Sequence, residues 1–215
     1  TVTFSATDPS ADYTLRDGWL CAGADRVLRQ EETHLRGPHN AENLLATLAV
    51  ADAEKISRDA VKKAFVAYRP LPHRCEVVAV RAGVTWINDS KATNLDAMER
   101  AVLGMAGPLV LIAGGKDKGF DFAPSLSHLR GRVRAALLIG EAAEKIEQAW
   151  RDGVPCRRVG TLAEAVRRAA ELANAGETVL LSPGCSSYDQ FKNFEERGET
   201  YRQCVKALPQ EETKP

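Results

Sequence analysis

Residues 108–119 read Pro-Leu-Val-Leu-Ile-Ala-Gly-Gly-Lys-Asp-Lys-Gly. The apolar run Leu109–Ala113 does not alternate with polar residues, and it is bounded by a proline and a glycine pair. That is the pattern of a strand buried on both faces. Ala136–Ile139 and Thr178–Leu181 repeat it. Working outward, strand-like and helical stretches alternate: strands at 75–80 and 84–89, a helix from about Leu95 to Leu103, and the strand at 108–115. A helix near Ser125–Leu129, a strand at 135–140 and a helix at 141–150 follow, then a strand at 156–160, a helix at 162–175, the strand at 178–183 and a helix from about Asp189 to Ala207. Strands separated by helices predict an α/β domain with a doubly wound, mostly parallel, Rossmann-like sheet.

Upstream the pattern differs. Residues 1–35 carry short strand-like stretches broken by turns, including Asp17-Gly18, and predict a small antiparallel β-meander. Gly37-Pro38 punctuates the chain. Leu44, Leu45, Leu48 and Ala49 then have helical spacing, and a second helical stretch follows Ser57, giving a helical pair. Arg69-Pro70-Leu71-Pro72 cannot continue either kind of regular element. The expected division is therefore 1–72 and 73–215, with a polar tail after Leu208 that should fray.

The chain has 215 residues, 44% hydrophobic and 27% charged, enough to bury a core. Its 29 Lys and Arg balance 29 Asp and Glu, so no general field attracts nucleic acid or an anionic membrane, and any anion site must be local. The five cysteines form no CxxC pair and are odd in number, which argues against a zinc site or a disulfide framework and for reduced thiols in cytoplasm. No apolar run approaches the roughly 20 residues of a membrane span. The opening Thr1-Val2-Thr3-Phe4 lacks an initiator methionine, from which we expect a piece of a longer chain.

In an open parallel sheet, ligands bind beyond the carboxyl ends of the strands. Three such segments are unusual. Asn88-Asp89-Ser90-Lys91-Ala92-Thr93-Asn94 concentrates charge, hydroxyls and amides, although Ser90, Thr93 or Asn94 would also suit a helix N-cap. In Gly114-Gly115-Lys116-Asp117-Lys118-Gly119, glycines would let backbone approach a ligand while lysines supply charge, but the segment is neither a P-loop nor a GxGxxG fingerprint and also fits a tight turn. Ser182-Pro183-Gly184-Cys185-Ser186-Ser187-Tyr188-Asp189 opens a helix whose free N–H groups could hold a carboxylate, or which Ser187 or Asp189 caps. Asn40 and Asn43 share a helical face and could read an adenine edge, though such a pair also serves as N-cap chemistry. His73 and Arg74 follow the prolines, where an arginine could reach a phosphate.

Taken together, G-P-H-N-A-E-N, L-P-H-R, N-D-S-K-A-T-N, A-G-G-K-D-K-G and L-S-P-G-C-S-S-Y-D-Q-F-K-N-F-E-E-R-G, in this order, resemble the Mur ligases of bacterial peptidoglycan synthesis. N-D-S-K-A-T-N points to the branch that adds D-glutamate. The resemblance implies an ATP- and Mg2+-dependent ligase that joins D-glutamate to UDP-N-acetylmuramoyl-L-alanine through an acyl phosphate, acting as a cytoplasmic monomer. It further implies that Asn40 and Asn43 contact adenine, that Arg74 and Asp89 contact phosphates and ribose, and that Lys91, with Arg74, serves the reacting phosphate. Thr93 and Lys118 would hold one carboxylate of D-glutamate, and Ser187 with the backbone at Phe194 the other.

The family's phosphate-binding GxxGK[ST] loop does not occur in the sequence, and no residue matches its magnesium ligands. Residues 1–72 would be the last part of the central ATP-binding domain and 73–215 the amino-acid-binding domain. On this reading the UDP-binding domain and the P-loop half are lacking, and the chain alone is inactive. A ligand-binding module that lost catalysis, or a sister ligase adding another amino acid, are the alternatives. Gly184 departs from the family's usual alanine, and Cys185 reads as small packing.

Overall fold

The computed structural model describes residues 1–35, 37–69, 71–105 and 107–209, without the side chain of His39. Pro70 of the proline linker and the tail from Gln210 onward lie outside the described residues. The chain divides into two compact units, Thr1–Pro70 and Leu71–Pro215.

The first unit contains strands β1 (Phe4–Ser5), β2 (Tyr13–Arg16), β3 (Trp19–Ala22) and β4 (Asp25–Arg29), then helices α1 (Pro38–Ala53) and α2 (Arg58–Ala67). Strands β2, β3 and β4 form the expected antiparallel meander, turning at Asp17-Gly18, but β1 joins β2 in parallel. A parallel neighbour needs a crossover longer than a hairpin turn, and the loop between Ser5 and Tyr13 supplies it. Leu20, Val27 and Leu28 of the sheet pack on Leu44, Leu45 and Leu48 of α1 and on Val61 and Phe65 of α2. Asp52 ties three elements together by accepting from Tyr13 Oη at 2.8 Å and from Arg58 Nε and Nη2 at 2.6 Å each.

The second unit carries strands β5 (Glu76–Arg81), β6 (Val84–Asn88), β7 (Leu109–Gly114), β8 (Val133–Ile139), β9 (Cys156–Gly160) and β10 (Thr178–Leu181). Its helices are α3 (Leu95–Gly104), α4 (Leu126–Leu129), α5 (Ala143–Trp150), α6 (Leu162–Leu172) and α7 (Phe194–Ala207). The six strands lie in the order β5-β6-β10-β7-β8-β9, and all neighbours are parallel except the edge pair β5 and β6. Every residue of β7 and β10 is buried, as their continuous apolar runs require.

Alternate residues serve opposite faces. Leu109, Leu111, Ala113 and Leu180 meet Met98, Val102, Ile146 and Trp150 of α3 and α5. Val110, Ile112, Val179 and Leu181 meet Val166 and Ala169 of α6 and Tyr201 and Val205 of α7. The last helix starts five residues later than the periodicity predicts. Asn193 is its N-cap, accepting from Glu196 N at 2.7 Å. Asp189 instead accepts from Glu141 N at 3.0 Å, so neither it nor Ser187 caps the helix.

Insertion of β10 between β6 and β7 decides where a ligand can sit. From β6 the chain crosses α3 to β7, leaving one strand position open, builds outward through β8 and β9, and returns through α6 to fill that position. The switch point therefore lies at the carboxyl ends of β6, β10 and β7.

Candidate active site

Three loops meet at that switch point. Asp89 N–H donates to Leu181 O at 2.7 Å, Gly114 N–H to Pro183 O at 2.8 Å, Gly184 N–H to Ala92 O at 3.0 Å and Lys116 N–H to Ser186 O at 2.9 Å. The segments after β6, β7 and β10 are thus stitched to one another by their own backbones.

Asp89 reinforces the seam. Its Oδ1 accepts from Cys75 N at 3.1 Å and its Oδ2 from Ser182 Oγ at 2.8 Å. Burial raises the carboxyl to about 6, against the opposing pull of the Ser182 hydrogen bond. Burial also pushes the Cys185 thiol up to about 12, which suits packing and leaves it a poor nucleophile at neutral pH.

The N-cap alternative for Asn88–Asn94 is realised by Asn94, whose Oδ1 accepts from Ala97 N at 2.9 Å. Ser90 and Thr93 are thereby left for other work. Ser90 Oγ donates to Phe194 O at 2.8 Å, and Lys91 Nζ lies 4.8 Å from the centre of the Phe194 ring. On the first unit, α1 begins at Pro38 with Gly37 as N-cap, so Asn40 stands in the first turn and Asn43 in the second, on one face.

The two lysines of the Gly114–Gly119 loop differ. Lys116 Nζ is paired with Glu141 at 2.6 Å, and Asp117 is paired with Lys145 at 3.1 Å. Lys118 Nζ instead donates to the carbonyl of Thr93 at 3.3 Å, an uncharged partner, and is exposed. Of this loop's cations, Lys118 is the one whose charge is not consumed by a neighbouring carboxylate. It also links the loop after β7 to Thr93 in the loop after β6.

The first two glycines of this loop are required by the fold itself. A Cβ at Gly114 would lie 2.1 Å from Ile139 O, and one at Gly115 would lie 2.2 Å from Ser186 O, with φ of +111° and +137°. They let backbone approach backbone.

Across the switch point, Ser187 is 2% exposed, and its carbonyl accepts from Gln190 N and Phe191 N at 3.1 and 2.9 Å. Phe194 is the first residue of α7, so its N–H has no intrahelical acceptor and the positive end of the helix dipole begins there. The structure thus brings Asp89, Lys91, Thr93, Lys118, Ser187 and Phe194 to one end of one sheet. Arg74 is exposed at the start of the same unit, its N–H donating to Leu71 O at 3.3 Å. Asn40 and Asn43 belong to the other unit. Among the described residues no three His, Cys, Asp or Glu side chains are grouped to hold a metal ion.

Two residues of this site received no role from the sequence, although both stand in stretches it singled out. Asn88 donates from Nδ2 to His73 Nδ1 at 3.0 Å and to Gly198 O at 3.1 Å, while its Oδ1 accepts from Ser90 N at 3.2 Å. Arg197 is fully buried, with its guanidinium bonded to Ser90 and Cys185. A signal was present: residues 197, 201 and 205 share a helical face, which puts the arginine in line with Tyr201 and Val205, although an arginine so placed can also reach out to solvent.

The family described as Mur ligase, glutamate ligase domain, matches residues 73–185. The UDP-N-acetylmuramoylalanine–D-glutamate ligase of Hahella chejuensis is 44% identical over 198 residues, covering 90% of this chain and 44% of the relative. That of Pseudomonas aeruginosa is 46% identical over 194 residues, covering 88% of this chain and 43% of the relative. The chain thus spans less than half the length of these relatives. Among solved structures, the UDP-N-acetylmuramate-alanine ligase of Thermotoga maritima superposes with a TM-score of 0.67 at 14% identity, covering 97% of this chain and 48% of that one. The MurF ligase of the same organism, in complex with ADP, gives 0.64 at 14% identity, covering 92% and 48%. The family match takes in more than half of the chain and all three strand ends that meet at the switch point, and on that ground the chain belongs to the Mur ligase family.

Proposed function

We propose that this chain is the C-terminal part of an ATP-dependent ligase that adds D-glutamate to UDP-N-acetylmuramoyl-L-alanine, and that its second unit binds the amino acid. Residues 1–72 are then the end of the ATP-binding domain and 73–215 the amino-acid-binding domain. The observation that carries this reading is the pairing of an uncompensated Lys118 beside Thr93 with the Ser187 hydroxyl and the Phe194 N–H across the same switch point.

D-glutamate is a dianion whose amine must stay free to attack. It needs cationic or N–H donors at two separated points and nothing acidic against the nitrogen. Lys118 and Thr93 take one carboxylate. Ser187 and the start of α7 take the other, where the dipole of a 14-residue helix favours an anion. Holding both ends fixes the amine relative to the acyl group, so orientation is this unit's main contribution to rate.

ATP supplies the activation of the acyl carboxylate when bound. Of this chain's residues, Asn40 and Asn43 are assigned to adenine, and the solvent-facing guanidinium of Arg74 suits a phosphate. Asp89 is assigned to the ribose through the lone pairs that Cys75 and Ser182 leave on its oxygens. Lys91 is assigned to the negative charge that develops at the reacting centre, where a fixed cation lowers the barrier. Magnesium is assigned to no residue of this chain. The setting is cytoplasmic and the molecule monomeric, as the resemblance implies; no helix of the described residues is long and apolar enough to cross a membrane.

The test is phosphate release from MgATP and UDP-N-acetylmuramoyl-L-alanine with a panel of amino acids, run on this chain and on the complete reading frame that contains it. The expected result is silence from the chain and D-glutamate-dependent turnover from the complete protein. Turnover with a different amino acid would identify a sister ligase. No turnover from the complete protein, with retained amino-acid binding, would leave a binding module.

A further inference from the structure

Arg197 stands where the three loops converge. Its Nε donates to Ser90 Oγ at 2.9 Å and its Nη2 to Ser90 O at 2.9 Å, both in the loop after β6. Nη1 donates to Cys185 O at 3.1 Å, in the loop after β10. A Cβ on Gly115, in the loop after β7, would lie 3.2 Å from the same Nη1. Every one of these partners is neutral, and no carboxylate among the described residues lies within ion-pair distance of it. The guanidinium is 0% exposed. Burial draws it down to about 10, which leaves it cationic at neutral pH.

Asp189 is the carboxylate whose charge reaches the guanidinium, from beyond ion-pair distance, so it and the hydrogen bonds to two carbonyls and a hydroxyl offset only part of the cost of burying the cation. A purely structural clamp across these loops could be made by neutral donors. A cation is the better choice where an anion completes the arrangement. The relay Arg197 to Ser90 Oγ to the Phe194 carbonyl also fixes the first turn of α7, whose N–H groups face the same region.

We infer that Arg197 is a positioning residue for the amino-acid substrate, its buried charge balanced by the substrate carboxylate held at Ser187 and the Phe194 N–H. This rests on the function proposed above. The charge acts through the protein between the loops, without touching the substrate, and it favours a carboxylate over the isosteric amide.

The test uses the complete enzyme and compares D-glutamate with its two monoamides, D-glutamine and D-isoglutamine, in wild type, Arg197→Met, Arg197→Gln and Arg197→Lys, each checked for folding by thermal unfolding. Met and Gln should raise the KM for D-glutamate by roughly tenfold or more, the scale of a unit charge acting through a few ångströms of protein. They should also collapse the preference over one monoamide, leaving the other preference and the KM for ATP near wild type. Lys keeps the charge and loses the fork, and should hold that preference within about threefold. Equal losses for D-glutamate and both monoamides would show a structural clamp and overturn the inference. So would a Lys variant that loses the preference, a result readable even where Met and Gln do not fold. Absence of D-glutamate dependence in the wild type would sink the function instead.

Discussion

Gly198→Ala sets two well-understood effects against each other inside α7. In a helix interior, alanine is favoured over glycine by about 1 kcal/mol, so propensity alone makes this a stabilising change. The packing says otherwise. A Cβ at Gly198 would lie 2.2 Å from His73 Nδ1, 2.7 Å from its Cγ and 2.9 Å from its Cε1. The ring is buried and must retreat by about an ångström or more, and overpacking of this kind costs about 1–3 kcal/mol.

Retreat also breaks the 3.0 Å bond from Asn88 Nδ2, whose amide can only donate, so Nδ1 is the accepting nitrogen and His73 is neutral. Its pKa is accordingly depressed, by burial first and by Arg202 second. Losing that buried bond costs a further 1–3 kcal/mol or so. Set against the helix gain, the net is a destabilisation of about 3 kcal/mol. Urea unfolding in a Trp19→Phe background reads the second unit alone, because Trp86 and Trp150 both lie there and are buried. Adding His73→Ala should relieve the clash, so that the double variant is more stable than the sum of the singles by about 1 kcal/mol or more. A Gly198→Ala protein as stable as wild type, or strict additivity with His73→Ala, would refute the argument.

Three further outcomes follow from the same geometry. In the complete enzyme, Lys118→Ala should raise the KM for D-glutamate about tenfold or more, whereas Lys116→Ala, which removes a charge already paired with Glu141, should change it less than about threefold; equal effects would contradict the assignment. Asp89 is raised from 3.8 to about 6, so the folded state takes up its proton first. Its contribution is fully present below about 4 and lost as pH rises through 6, an effect of about 3 kcal/mol, and wild type measured against Asp89→Asn should lose that relative stability between pH 4 and pH 8. Parallel pH profiles would exclude it. Gly115→Ala, with its Cβ 2.2 Å from Ser186 O, should destabilise by about 3 kcal/mol or more, while Gly119→Ala, which shares a positive φ but meets nothing within 4 Å, should cost only about 1 kcal/mol. Thermal unfolding of the two variants side by side decides the point.

The sequence by itself determined the α/β class. Leu109–Ala113, Ala136–Ile139 and Thr178–Leu181 are apolar on both faces, and only a strand covered by helices on both sides tolerates that. It also marked the segments at 88–94, 114–119 and 182–189, because polar and small residues are concentrated there at the carboxyl ends of strands, where an open parallel sheet binds ligands. Strand order was beyond it. Nothing local in Thr178–Leu181 says that this last strand returns to the middle of the sheet, and that insertion is what makes the three loops neighbours. Local composition could not say which lysine keeps a free charge, since Glu141 and Lys145 reach the loop only once β8 and α5 are packed. The same holds for the capping choices. Asn94 and Asn193 took them, and Ser90 and Asp189 were bound by partners more than forty residues away. Side-chain period is a local property that the chain carries with it, whereas the partner of a buried charge is fixed by which distant backbone groups the fold brings within hydrogen-bond distance. For Arg197 those groups are the carbonyls of Ser90 and Cys185, and only the tertiary structure could name them.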